Sequence, residues 1–290
     1  MKCLSPGKAW KLPGGGITTR RRVSTLAEVP VPCGKCDACR LGRAQQWATR
    51  CLHELKEHKT ASFITLTYAR PPLTSNGMET LNPVDLRNFW KRLRKEGREF
   101  RYFAVGEYGS QTLRPHYHAI VFGQDWMRDR TVLRPGKHPL FNSQDLEKAW
   151  QHGHVSIGEC TPETIGYTTR YSLKAFGKCD SIGHDVADER EPVFLRTSRR
   201  PALGRKYYED NRENMFRHGH VRVNGKRRDI PDYYIRLERK RMDRVPEYEE
   251  FLENRLESWR TETDYQRRAR QVILQQSWRD PQRQRREPGR

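Results

Sequence analysis

Three small groups of residues in this 290-residue chain have types and spacings that can do chemistry. His116 and His118 flank Tyr117 at the start of an apolar run, HYHAIVF. Side chains alternate faces along a strand, so there the two imidazoles point the same way and can share one divalent ion. They fill half a coordination shell. If the ion polarises a phosphate, the third ligand should be an oxygen. Glu107, at the end of the preceding strand, is the candidate, because a hairpin brings it back across from His116. The second group is Tyr167, Tyr171 and Lys174, within GYTTRYSLK. At four and three residues apart on a helix, two phenols and an ammonium share one face. A phenol is a poor nucleophile near neutrality, with a reference pKa of about 10, and a neighbouring cation stabilises its phenolate. The third group is Cys33, Cys36 and Cys39, which resembles half of a zinc site, with Cys51, Cys3 or His53 as a fourth ligand. The plainer readings are ordinary histidines, an aromatic stripe packed on a sheet, and reduced thiols at a helix start.

The elements that must position these residues follow from period and punctuation. Residues 1–32 read as loop, broken by Pro6, Pro13, the Gly14–Gly16 run, Pro30 and Pro32. Cys36 to Lys56 reads as helix, with Leu41, Ala44, Trp47, Ala48, Cys51, Leu52 and Leu55 recurring at three and four. Ser62–Ala69 is a strand ended by Pro71 and Pro72. Asn82-Pro83 caps a helix carrying Leu86, Phe89, Trp90 and Leu93, and Gly97 closes it. Strands follow at Arg101–Val105 and His116–Phe122, with Gly106–Pro115 as the loop. Ser143 caps a helix through Trp150, Val155–Glu159 is a strand, and Thr161-Pro162 opens a helix to about Phe176. Pro246–Trp278 reads as mostly helical, with Tyr248, Phe251, Leu252, Leu256 and Trp259 as a stripe. This order predicts an α+β fold: a central antiparallel sheet flanked by helices.

Composition narrows the partners. Hydrophobic residues make up 34% and charged residues 32% of the chain, and the net charge is +20. Residues 1–60 carry 12 Lys/Arg against 4 Asp/Glu, residues 61–195 carry 18 against 16, and residues 196–290 carry 26 against 16. The excess therefore sits in the flanks, which predicts a near-neutral globular centre with basic extensions that hold phosphates. The expected division is a basic, Cys-rich segment at 1–60, a core at 61–178, and a basic, mostly helical region at 179–290 with a disordered tail. No apolar run is long enough to cross a bilayer, and no secretory signal is expected, so the partner is a nucleic acid rather than a membrane.

Taken together, FITLTYA, GEYG, RPHYHAIVFG and YTTRYSLK occur in the order of the motifs of the HUH endonucleases, whose core is RRM-like. With CGKCDACR, Gln46–Glu54 and KRLRK added, residues 30–178 resemble the rolling-circle replication initiators of the microviruses, gokushovirus branch. The resemblance implies that His116, His118 and Glu107 hold Mg²⁺ or Mn²⁺. It implies that Tyr167 or Tyr171 attacks the viral origin, leaving a 5′-phosphotyrosine bond and a 3′-OH primer, and that the second tyrosine later allows the ends to be joined. Lys174 would position the phosphate. The implied partner is single-stranded origin DNA of a phage replicative form, in the cytoplasm of the bacterial host. There is no Gly-x-x-x-x-Gly-Lys-Ser/Thr phosphate loop, so a host helicase is expected alongside a host DNA polymerase. The other functions to weigh are a plasmid or transposon relaxase and a non-catalytic nucleic-acid-binding protein.

Overall fold

The structure is a computed structural model that describes residues 2–13, 17–175 and 189–279, with only the backbone for 171–175, 260 and 275–279. The tail read as disordered lies outside these residues. The described residues fall into two compact units: the chain up to Gln46 together with that from Asp210 onward, and Trp47–Glu209.

In chain order the elements are β1 (Gly7–Lys11), β2 (Ile17–Thr18), β3 (Glu28–Val31), α1 (Asp37–Leu55), β4 (Ala61–Tyr68), α2 (Pro83–Lys95), β5 (Arg101–Tyr108), β6 (Pro115–Phe122), β7 (Arg130–Arg134), β8 (Leu140–Ser143), α3 (Gln144–Trp150), β9 (Gly153–Glu159), α4 (Pro162–Ala175), β10 (Phe194–Thr197), α5 (Arg205–His218), β11 (Val221–Val223), β12 (Lys226–Arg228), α6 (Asp232–Arg239), α7 (Tyr248–Arg260) and α8 (Asp264–Arg279). The fold is α+β, with a seven-stranded antiparallel sheet in the order β10-β5-β6-β4-β9-β8-β7 flanked by helices.

The sheet belongs to the Trp47–Glu209 unit, and strand alternation gives it two unlike faces. One face carries Ile64, Leu66, Ala104, Tyr117, Ala119 and Val121, which pack on Leu86, Phe89, Trp90 and Leu93 of α2 and on Leu146, Ala149 and Trp150 of α3. The other carries Phe63, Phe103, Val105, Ile120 and Phe122, which pack on Cys51 of α1 and Ile165 of α4. Both predicted caps form: the Asn82 side chain accepts the N–H of Val84, and that of Ser143 accepts the N–H of Leu146. Gly97 takes a φ of +76°, past the end of α2.

Several expectations are corrected. Residues 1–32 are not all loop, because β1, β2 and β3 form a three-stranded sheet. Pro30 is tolerated there because β3 is an edge strand. The strand read as Arg101–Val105 runs on to Tyr108, so Glu107 lies inside β5 and not in a loop. Gly106 reads as a breaker in sequence, yet it is needed for close packing: an added Cβ would lie 3.0 Å from the Tyr117 ring and 3.1 Å from that of Phe194. Strands β7, β8 and β10 and the β11–β12 hairpin carry too little periodicity to be read from sequence. The helical stretch read over Pro246–Trp278 is two helices, α7 and α8. No described helix is long and apolar enough to cross a membrane.

Candidate metal and tyrosine site

The register of three strands builds the site. In β5 and β6, Glu107 pairs with His116 and Val105 with His118. In β4 and β6, Thr65 pairs with His118 and Thr67 with His116. Alternation therefore places His116, His118, Glu107, Thr65 and Thr67 on one face. At the far end of these strands that face is apolar, with Phe63, Phe103, Ile120 and Phe122 in the core. Toward the hairpin it turns polar, and Thr67 lies opposite the exposed His154 of β9. Tyr117 points the other way, as the sequence predicts. Its hydroxyl takes the N–H of Asn82 at 2.9 Å and lies 2.7 Å from that of Tyr68, which donates to Asp85. That buried network ties the middle of the His-Tyr-His segment to the start of α2.

The two imidazoles converge on one oxygen. His116 Nε2 and His118 Nε2 each lie 3.3 Å from Glu107 Oε1. The other ring nitrogens face away: His116 Nδ1 is 3.0 Å from the carbonyl of Arg114, and His118 Nδ1 is 3.0 Å from Thr65 Oγ1. A carbonyl can only accept, so His116 carries its proton on Nδ1 and turns the Nε2 lone pair toward the carboxylate. Two electron-rich atoms facing each other at that distance call for a cation between them, either a proton or a metal. Glu107 is buried, which alone would raise its pKa, but hydrogen bonding and charge from His116 and His118 hold it below the usual carboxylate value. The three donor atoms lie within 4.8 Å of one another. Two imidazole nitrogens and one carboxylate oxygen, the imidazoles oriented by outer partners, make a donor set that fits a divalent ion.

Helix α4 brings a tyrosine to this set. Thr161 and Thr164 close its first turn: Thr164 N–H donates to Thr161 Oγ1, and Thr161 N–H donates to Thr164 Oγ1. Ile165, Thr168 and Thr169 are buried. Tyr167, half-buried, sets its ring edge-on to His118 at 5.5 Å between centroids and to Phe63 at 6.2 Å. Tyr171 and Lys174 continue the same helix, and their side chains lie outside the described residues. Sequence reasoning missed Thr65 and the Arg114 carbonyl, which orient the imidazoles. Thr65 is an ordinary residue of FITLTYA until the register is known.

The family model for replication-associated protein ORF2 matches residues 61–176. The replication-associated protein VP4 of Bdellovibrio phage phiMH2K is 31% identical over 248 residues, covering 81% of this chain and 76% of its own length. The chain belongs to the phage replication-associated proteins. Within this family, the replication-associated protein ORF2 of Spiroplasma virus 4 is 31% identical over 264 residues, 86% of this chain and 79% of its own. The replication-associated protein ORF4 of Chlamydia phage 1 is 30% identical over 233 residues, 76% of this chain and 56% of its own. No solved structure matches significantly. The family match runs from β4 through α4, so it holds Glu107, His116, His118 and Tyr167 together.

Of the cysteines, Cys33, Cys36 and Cys39 are joined by Cys3. The alternative fourth ligands are accounted for elsewhere. Cys51 is buried in the core under the sheet, and His53 stacks on Tyr207 with ring centroids 3.6 Å apart.

Proposed function

We propose that this replication-associated protein is a site-specific endonuclease that nicks single-stranded origin DNA to start rolling-circle replication of a phage genome. The observation that carries the reading is the meeting of His118 with Tyr167, at 5.5 Å between rings, beside a carboxylate shared by two imidazoles. Mg²⁺ or Mn²⁺ held by His116, His118 and Glu107 would supply the Lewis acid that polarises a phosphate oxygen.

The chain's own residues do the rest. Arg114 and Thr65 hold the imidazoles in the orientation that keeps Nε2 toward the carboxylate. Tyr167 is the nucleophile: its phenolic oxygen bonds to phosphorus as the bond from phosphorus to the 3′ oxygen breaks. The phenolic proton passes to solvent, and the leaving oxygen takes one up. The products are a 5′-phosphotyrosine linkage and a 3′-OH that host polymerase extends while host helicase opens the duplex. Tyr171, one turn along, cuts the regenerated origin. The new 3′-OH then attacks the first phosphotyrosine bond, restoring that phenol and joining the ends. Lys174 neutralises the phosphate.

The test is incubation with a labelled single-stranded origin and Mn²⁺. The wild type forms an adduct that survives denaturing electrophoresis, Tyr167→Phe and Tyr171→Phe each change it, and the double variant forms none. His116→Ala loses the metal-dependent cut while largely keeping DNA binding. An adduct in the double variant would overturn the nucleophile assignment, and binding without any cleavage in the wild type would leave a non-catalytic DNA-binding protein.

A further inference from the structure

The unit containing the chain up to Gln46 holds a second donor cluster, of different chemistry from the first. We propose that Cys3, Cys33, Cys36 and Cys39 bind one structural Zn²⁺ as a closed four-thiolate site, with Cys3 as the fourth ligand. The four sulfurs lie within 4.8 Å of one another. Cys3 Sγ is 3.4 Å from Cys33 Sγ and 3.7 Å from Cys36 Sγ. A tetrahedron with zinc–sulfur bonds of about 2.3 Å has sulfur–sulfur edges of roughly 3.8 Å. A disulfide would bring two sulfurs to about 2.05 Å. The observed spacing is that of ligands around a common centre.

The backbone is arranged for thiolates. Cys33 Sγ faces the N–H of Lys35 at 3.5 Å and that of Cys36 at 3.3 Å. Cys3 Sγ accepts from the N–H of Cys33 at 3.3 Å, and Cys36 Sγ from that of Leu4 at 3.4 Å. Gly34 makes the first pair of interactions geometrically accessible: its φ of +75° curls the Cys33–Cys36 turn so that successive N–H groups point at one sulfur. Four zinc thiolates carry a net charge of −2, which these donors offset. Zinc binding displaces the thiol protons to solvent.

The placement explains what the ion does. Strands β1 and β3 pair antiparallel, and the pair nearest the cluster is Gly7 with Val31. Cys3 precedes β1 and Cys33 follows β3, so the two chains leave that ladder side by side. Cys39 lies in the first turns of α1. The ion therefore clamps the open end of a small sheet to the start of a helix, in a unit whose first strands are too short to hold themselves. With every position taken by sulfur, no coordination site is open for substrate, so the role is structural. Different residues carry this proposal and the nuclease reading, and either can fail without the other.

The experiment is elemental analysis of the full-length protein, purified under reducing conditions without chelator. About one zinc per chain is expected, retained after brief EDTA treatment that strips weakly held divalent ions. Cys3→Ser should lose it and Cys51→Ser should keep it. Should Cys3→Ser fail to fold, the wild type supplies an independent readout: titration with an organomercurial should release the zinc as four thiols react. Co²⁺ exchanged into the site should show the visible bands of a tetrahedral thiolate complex. A zinc-free protein whose four thiols react at once would overturn the proposal. So would zinc that persists in folded Cys3→Ser, or zinc that leaves with His116→Ala instead.

Discussion

His116 and His118 are held by different kinds of partner. His116 hydrogen-bonds a backbone carbonyl, which no substitution removes, whereas His118 depends on the Thr65 hydroxyl. Outer partners of metal-ligating histidines change metal affinity by about 10- to 100-fold. Thr65→Val should therefore weaken Mn²⁺ binding by about tenfold, with Thr65→Ser close to wild type, as read by calorimetric titration. Equal affinity in all three would show that the hydroxyl does not orient the ring. Two imidazoles beside one carboxylate also form a softer donor set than Mg²⁺ prefers, so Mn²⁺ should bind more tightly than Mg²⁺ in the same titration. The His-x-His spacing was legible because strand alternation is a local rule. Thr65 was not, because its role depends on register across strands.

Among the elements, β5 is where sequence and structure part most usefully. Gly106→Ala would press a methyl group against two buried rings on the face opposite Glu107. Overpacking of this kind costs about 1–3 kcal/mol, so the variant should unfold at lower urea concentration. An unchanged midpoint would mean that the sheet yields without strain. Helix α1 carries a second test. Burial, with the charge of Lys56, lowers the pKa of His53 from 6.5 to about 3. Between those values the unfolded chain binds more protons than the folded one, so stability is full above about 6.5 and falls as the pH drops toward 3. His53→Gln should flatten the acid limb of a melting-temperature profile over that window, whatever its effect at neutral pH; an acid limb as steep as that of the wild type would assign the loss to other groups. The helices with capping residues were legible because Asn82 and Ser143 announce their starts. Strand β8 was not, since it meets β9 at one register pair, and β3 was hidden by Pro30. Cys3 was only one of three candidate fourth ligands, because what joins it to Cys33 is the pairing of β1 with β3.

For the whole molecule, a net charge of +20 argues that affinity for single-stranded DNA comes largely from its phosphates. In the Trp47–Glu209 unit, Arg94, Arg101, Arg196, Arg199 and Arg200 line a groove of about 620 Å³ with Phe100 and Tyr102. Replacing Arg196, Arg199 and Arg200 by Ala should weaken binding and reduce its salt dependence, by about 0.7 in the log–log slope for each phosphate no longer neutralised. Fluorescence anisotropy over a salt series measures both, and an unchanged slope would place the DNA elsewhere. Charge counting found the basic flanks in sequence, but not this groove, because its arginines come from α2, β5, β10 and the residues just after β10. The central claim is that a divalent ion and a tyrosine of α4 act on one phosphodiester, and mass-spectrometric mapping of the covalent adduct tests it most directly. The predicted product is a 5′-phosphonucleotide on Tyr167 or Tyr171, formed only with divalent metal and leaving a free 3′-OH on the other fragment. A linkage through a 3′-phosphate, attachment outside α4, or an adduct formed equally well in EDTA would contradict it.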